Sequence, residues 1–82
     1  MAQTAAEQPV LISPAQCRAA RAWLNWKQAE LAQRSSVGLS ALKDFESGNR
    51  RTLASIRAQL QRTFEDAGVE FPNAHSVSGQ SE

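Results

Sequence analysis

Two short helical stretches separated by a four-residue break constrain this chain more than any other feature. Lys27 to Arg34 favours helix, with Leu31 and Ala32 as its inward apolar pair. Ser35-Ser36-Val37-Gly38 then interrupts it with residues that compete for backbone hydrogen bonds or permit unusual dihedrals. Leu42 and Phe45 mark the buried face of the helix that follows. Two short helices meeting at a steep angle need a small residue where their backbones approach, and Ala32 supplies it. They also need apolar contacts, which Leu31, Val37, Leu42 and Phe45 provide.

Eighty-two residues bound what can surround this pair. A chain of that length is one small domain and buries only about 60% of the surface its unfolded form exposes, which excludes a large enzyme core. At 41% apolar and 21% charged residues the composition is that of an ordinary globular chain. A single cysteine, Cys17, cannot close an internal disulfide, and with the single histidine, His75, it falls short of a structural zinc set. No run of eighteen apolar residues is present, and Met1 to Gln8 has neither the basic end nor the apolar stretch of a signal peptide. The expectation is a cytoplasmic protein with no membrane partner. Residues 1–9 read as a flexible N-terminus, 10–71 as the folded domain, and 72–82 as a flexible tail.

Further helices are expected on either side. Ser13-Pro14-Ala15-Gln16 is a helix start in which Ser13 caps, Pro14 takes the first helical position and Gln16 reaches back. Cys17, Ala20 and Leu24 fall on one face with the stem of Arg21, and Asn25 ends the helix near Leu24. Gly48-Asn49 closes the helix that carries Phe45. Thr52 is expected to cap a fourth helix whose Leu53, Ile56, Leu60 and Phe64 form an inward stripe running until Gly68. Val69-Glu70-Phe71, alternating and stopped by Pro72, has the pattern of a very short C-terminal strand, too short to stand alone. Val10-Leu11-Ile12 either staples the start of the first helix or contacts a second subunit.

The net charge of +1 hides an uneven distribution. All nine Lys and Arg lie between Arg18 and Arg62, so residues 13–63 carry 9 − 3 = +6 against Glu30, Asp44 and Glu46, while the flanks carry −5. A compact basic body suits attraction to a phosphate backbone, although charge alone is blind to sequence.

The stretch from Gln28 to Glu46 resembles the helix-turn-helix of the phage-repressor and Cro-like family, often called the Xre family, and the resemblance covers roughly residues 12 to 71. Three further segments carry it: Gln16-Cys17-Arg18-Ala19-Ala20-Arg21, Trp26-Lys27-Gln28, and Phe45-Glu46-Ser47-Gly48. Glu65-Asp66-Ala67-Gly68-Val69-Glu70-Phe71 also looks like the end of a common bacterial subgroup. The resemblance implies an all-α, compact, four- to five-helix lambda-repressor-like domain. It also implies an architectural ion pair between Arg21 and Glu46, and a third helix lying in the major groove of double-stranded DNA.

On that reading the base-contacting residues are Leu39, Ser40, Lys43 and Asp44. Lys43 can donate to guanine or phosphate, Ser40 is adaptable, Leu39 suits a thymine methyl, and Asp44 either accepts from cytosine or holds Lys43 or Arg50 in position. Gln28, Asn49, Arg50 and Arg51 are the expected phosphate contacts, with Lys27 and Arg34 as weaker candidates. Two departures stand out. Ser36 occupies the turn position that is usually glycine, and Gly38-Leu39 replaces the usual polar or basic opening of helix 3.

Other residues read as structural. Cys17 reads as a small core residue and His75 as part of a polar tail. Trp23 and Trp26 read as packing at the corner between helices 1 and 2, and Arg18, Arg57 and Arg62 as coats on solvated helix faces. No nucleophile with a base, paired carboxylates, metal set or glycine-rich phosphate loop is visible, so neither catalysis nor a cofactor is expected. The chain reads as a homodimeric, sequence-specific transcriptional regulator, more a repressor than an activator, in a bacterial or mobile-element setting. Helix 4 and Gly68 to Phe71 form its expected dimer surface. The rival is an antitoxin or anti-activator that presents Leu39 to a protein partner.

Overall fold

Ser13 opens the first helix through a reciprocal pair of hydrogen bonds. Its hydroxyl accepts from the Gln16 backbone N–H at 3.1 Å, and the Gln16 side-chain oxygen accepts from the Ser13 N–H at 2.8 Å. The computed structural model describes residues 11–49 and 52–71. Among them are four helices: α1 (Pro14–Leu24), α2 (Gln28–Ser35), α3 (Leu39–Glu46) and α4 (Ala54–Asp66). The domain is all-α, with no strand among the described residues. Asn25 ends α1 and Ser36 ends α2, both with φ near +61°. These are the two non-glycine residues in left-handed backbone among those described. Gly48 and Gly68, at φ +98°, turn the chain after α3 and α4, where a side chain would be strained.

The core gathers one face from each helix. Ile12, Cys17, Ala20, Leu31, Ala32, Val37, Leu42, Phe45, Leu60, Phe64 and Phe71 are buried together, with Leu24, Trp26, Ala41, Ile56 and Val69 packed around them. Ala32 sits buried in α2, which packs on α3, as its small size requires. Trp26 stacks on Phe64 at 5.9 Å between ring centroids, and Phe71 meets Phe64 edge-to-face at 5.9 Å. Arg34 lies over the Trp26 ring at 4.5 Å.

Several expectations are corrected. Val69-Glu70-Phe71 is not a strand; Phe71 instead seals the aromatic stack as a buried plug. Thr52 does not cap α4, because Leu53 occupies the cap position, no side chain caps the helix, and the Thr52 hydroxyl donates to the Asn49 carbonyl at 3.1 Å. Leu53 therefore precedes the helix, escapes its inward stripe and is 64% exposed. Of the two tryptophans only Trp26 packs, whereas Trp23 is 80% exposed.

Arg57 does not coat a solvated face. It donates to the carbonyls of Leu11 and Ile12, with its closest bond at 3.0 Å to Ile12. The buried Gln61 side-chain oxygen accepts the Ile12 N–H at 3.1 Å, so Arg57 and Gln61 of α4 clasp both backbone polar groups of a residue forty-five and forty-nine positions before them. Ile12 thus belongs to the core, while Val10 lies outside the described residues. The tails assigned to 1–9 and 72–82 lie outside them as well.

Candidate nucleic-acid interface

Helix α3 has two opposite faces with different chemistry. Leu42, Phe45 and Glu46 point inward and are buried, whereas Leu39, Ser40, Lys43 and Asp44 fall on the outer side and are exposed. Leu39 is 37% exposed. Gly38 takes the cap position with extended backbone and no side-chain cap, so α3 begins at the end of a turn whose geometry Ser36 sets. At the other end Ser47 donates to the Asp44 carbonyl at 2.8 Å and the Asn49 N–H donates to the same oxygen at 3.0 Å, which closes the helix.

What holds that helix is a buried carboxylate. Arg21 of α1 grips Glu46 with two parallel bonds, Nε to Oε2 and Nη2 to Oε1, both 2.8 Å. Gln28 Nε2 donates to Oε1 at 2.9 Å, and the Cys17 thiol donates to Oε2 at 3.0 Å. Arg21 also donates to the Trp26 carbonyl at 3.1 Å, and Arg18 donates to the backbone carbonyl of Glu46. One carboxylate therefore joins α1, the start of α2 and the end of α3.

The electrostatics follow from this geometry. Burial pushes the Glu46 carboxyl upward, but hydrogen bonds from Arg21, Cys17 and Gln28 outweigh it and hold the group below the ordinary carboxylate value. The bond to Glu46 raises Arg21. Burial first, and then the Glu46 hydrogen bond and charge, push the Cys17 thiol far above the usual thiol range, so it persists as a protonated donor.

The structure distributes the expected site residues unevenly. Leu39, Ser40, Lys43 and Asp44 share one exposed face, and Lys27 and Asn49 are exposed at the start of α2 and just beyond α3. Arg50 and Arg51 lie outside the described residues. The Gln28 side chain is half-buried and engaged by Glu46, so what it has to offer a ligand is the open end of α2. Arg34 is tied to Glu30 at 2.8 Å one turn away.

Arg21 and Glu46 meet as the resemblance implies, but the contributions of Cys17, Gln28 and Arg18 to the same node are not evident in the sequence. Cys17 and Arg21 share a helix face at i, i+4, and that pairing with one distant acid was the available signal. Against known proteins, the chain matches no family model and no curated protein. Among the described residues no three His, Cys, Asp or Glu side chains gather as a metal site. No helix among them is long and apolar enough to cross a membrane.

Proposed function

We propose that this chain is a sequence-specific, double-stranded DNA-binding transcriptional regulator, a homodimeric repressor of the lambda-repressor-like helix-turn-helix kind. The observation that carries the reading is the two-faced α3. Its inner side is anchored by Leu42, Phe45 and the Glu46 node, while Leu39, Ser40, Lys43 and Asp44 stand outward on a short, rigidly held helix. A recognition helix needs this combination, since base edges in the major groove are read by side chains whose backbone is fixed. The +6 charge of residues 13–63 supports attraction to phosphate, and Lys27, Asn49, Arg50 and Arg51 are the positioning contacts of the proposal, with the N-terminal end of α2 at Gln28. Two copies on half-sites about one helical turn apart supply the affinity that one small module lacks.

A second reading has its own support. Leu39 and Leu53 are both exposed, and a shallow hollow between α3 and α4 is lined by Ala41, Leu53 and Ile56 beside Asp44. That surface suits a protein partner, as an antitoxin or anti-activator would need.

Fluorescence-anisotropy titration against the chain's own upstream DNA and a scrambled duplex, at about 50 and about 200 mM salt, separates the two readings. Preference for the native duplex with steep weakening in salt is the expected result. No binding at either salt by a folded protein overturns the DNA reading and favours the protein partner.

A further inference from the structure

The largest exposed apolar side chain of the described domain lies beside a groove that fits its chemistry. Trp23, 80% exposed, forms the lip of a groove of about 310 Å³ between α1 and the segment after α4. Ala19, Val69 and Phe71 line it with apolar surface, and Gln16 and Glu70 supply polar groups at its margin. Its volume equals that of roughly ten water molecules at about 30 Å³ each, room for a bicyclic side chain. An indole is an apolar body with one N–H donor and no acceptor, and it requires an acceptor when buried. The exposed Glu70 carboxylate is such an acceptor.

We propose that this face is a self-association surface in which Trp23 of each copy inserts into the groove of the other, its indole N–H directed to the partner copy's Glu70. A two-fold contact requires one patch that is complementary to itself, and projection and groove here lie side by side on one face. At about 100° per residue, Gln16, Ala19 and Trp23 fall on the flank of α1 nearly opposite Arg18 and Arg21, which reach across to Glu46. The contact thus leaves the outer face of α3 uncovered. It moves the dimer surface from helix 4 to α1 while keeping the segment after Gly68. Two indoles bury roughly 300–500 Å², short of the 1,200 Å² of a standard interface, so the dimer belongs to the weak, transient class. It deepens the homodimer in the functional reading, yet is measured without DNA, so failure to bind DNA leaves it standing.

Sedimentation equilibrium of the full chain from about 10 to about 500 μM, a range that brackets weak association, tests it alongside Trp23→Ala and Ala19→Arg, both at exposed positions. Circular dichroism verifies that each variant keeps its helices. The native chain is expected to move from monomer to dimer across the range, with both variants monomeric and Glu70→Leu weakened several-fold. A native chain that stays monomeric throughout overturns the proposal, including the case in which residues 1–10 or 72–82 of the same chain fill the groove. A Trp23→Ala variant that dimerises like the native chain overturns it equally.

Discussion

The inner and outer faces of α3 are separated by one residue in sequence and by their physics in every other respect. Asp44 and Glu46 are both acids on the same eight-residue helix, but Asp44 stands in solvent while Glu46 accepts bonds from Arg21, Gln28 and Cys17. The inner acid is bound by geometry that admits little substitution, because an uncompensated buried charge is expensive. The outer one is exposed, so its identity is not fixed by burial. A buried, hydrogen-bonded side and a solvent-facing side are thus divided within two turns of helix.

The most forceful way to break the division is to strike the inner face. Arg21→Ala leaves Glu46 buried without its cation and is expected to cost about 3–5 kcal/mol. In a domain this small, that lowers Tm by more than about 12 °C in a thermal melt followed by circular dichroism. Retention of native Tm would mean the node is not structural.

Acid reaches the same node without mutation. Because Glu46 is held below its ordinary pKa of about 4.5 when folded, its contribution is complete above that value and is lost as pH falls through the lowered folded value. Urea midpoints compared at pH 7 and at about pH 3 should therefore fall more in the native chain than in Glu46→Gln, whose side chain does not titrate.

The outer face should answer differently. Lys43→Ala is expected to leave Tm within the change caused by about 0.5 kcal/mol, and to reduce discrimination between operator and scrambled duplex by about 1–3 kcal/mol in paired anisotropy titrations. A large stability loss there would erase the contrast between the faces. The smallest effect lies at the joint between α2 and α3. Ser36→Gly relieves a left-handed serine at φ 61° and is expected to stabilise by about 1 kcal/mol or less, read as a higher urea midpoint, since added freedom in the unfolded chain offsets part of the gain.

What the sequence discloses about this fold depends on how local each cause is. The Ser13 and Gln16 capping pair, the end of α1 at Asn25 and the break at Ser36 are set by neighbours within four residues, and all are readable in advance. Leu53 and Thr52 mislead because a helical stripe has meaning only inside a helix, and α4 starts one residue later than a threonine cap suggests. The better stripe is Arg57, Leu60, Gln61 and Phe64, at i, i+3, i+4 and i+7, but two of its members are polar and their partners lie more than forty residues away. Spacing marks Leu42 and Phe45 as the buried face of α3, and the family resemblance singles out Leu39, Ser40, Lys43 and Asp44 on the side that the structure leaves exposed. The engagement of Gln28 by Glu46 was not, since it depends on how three helices meet.

The clasp of α4 on Ile12 also orders events during synthesis. The Ile12 N–H goes to Gln61 and its carbonyl to Arg57, so the first core residue described must wait for groups forty-five and forty-nine positions downstream. A nascent chain that has released only α1 to α3 from the ribosome holds the whole of α3 but lacks Leu60, Phe64 and Phe71, and both backbone polar groups of Ile12 are without their α4 partners. Closing a loop of that length carries an entropic cost that only the completed α4 can offset. A shortened translation product ending before α4 would carry the outer face of α3 without Leu60, Phe64 and Phe71 to complete the core beneath it.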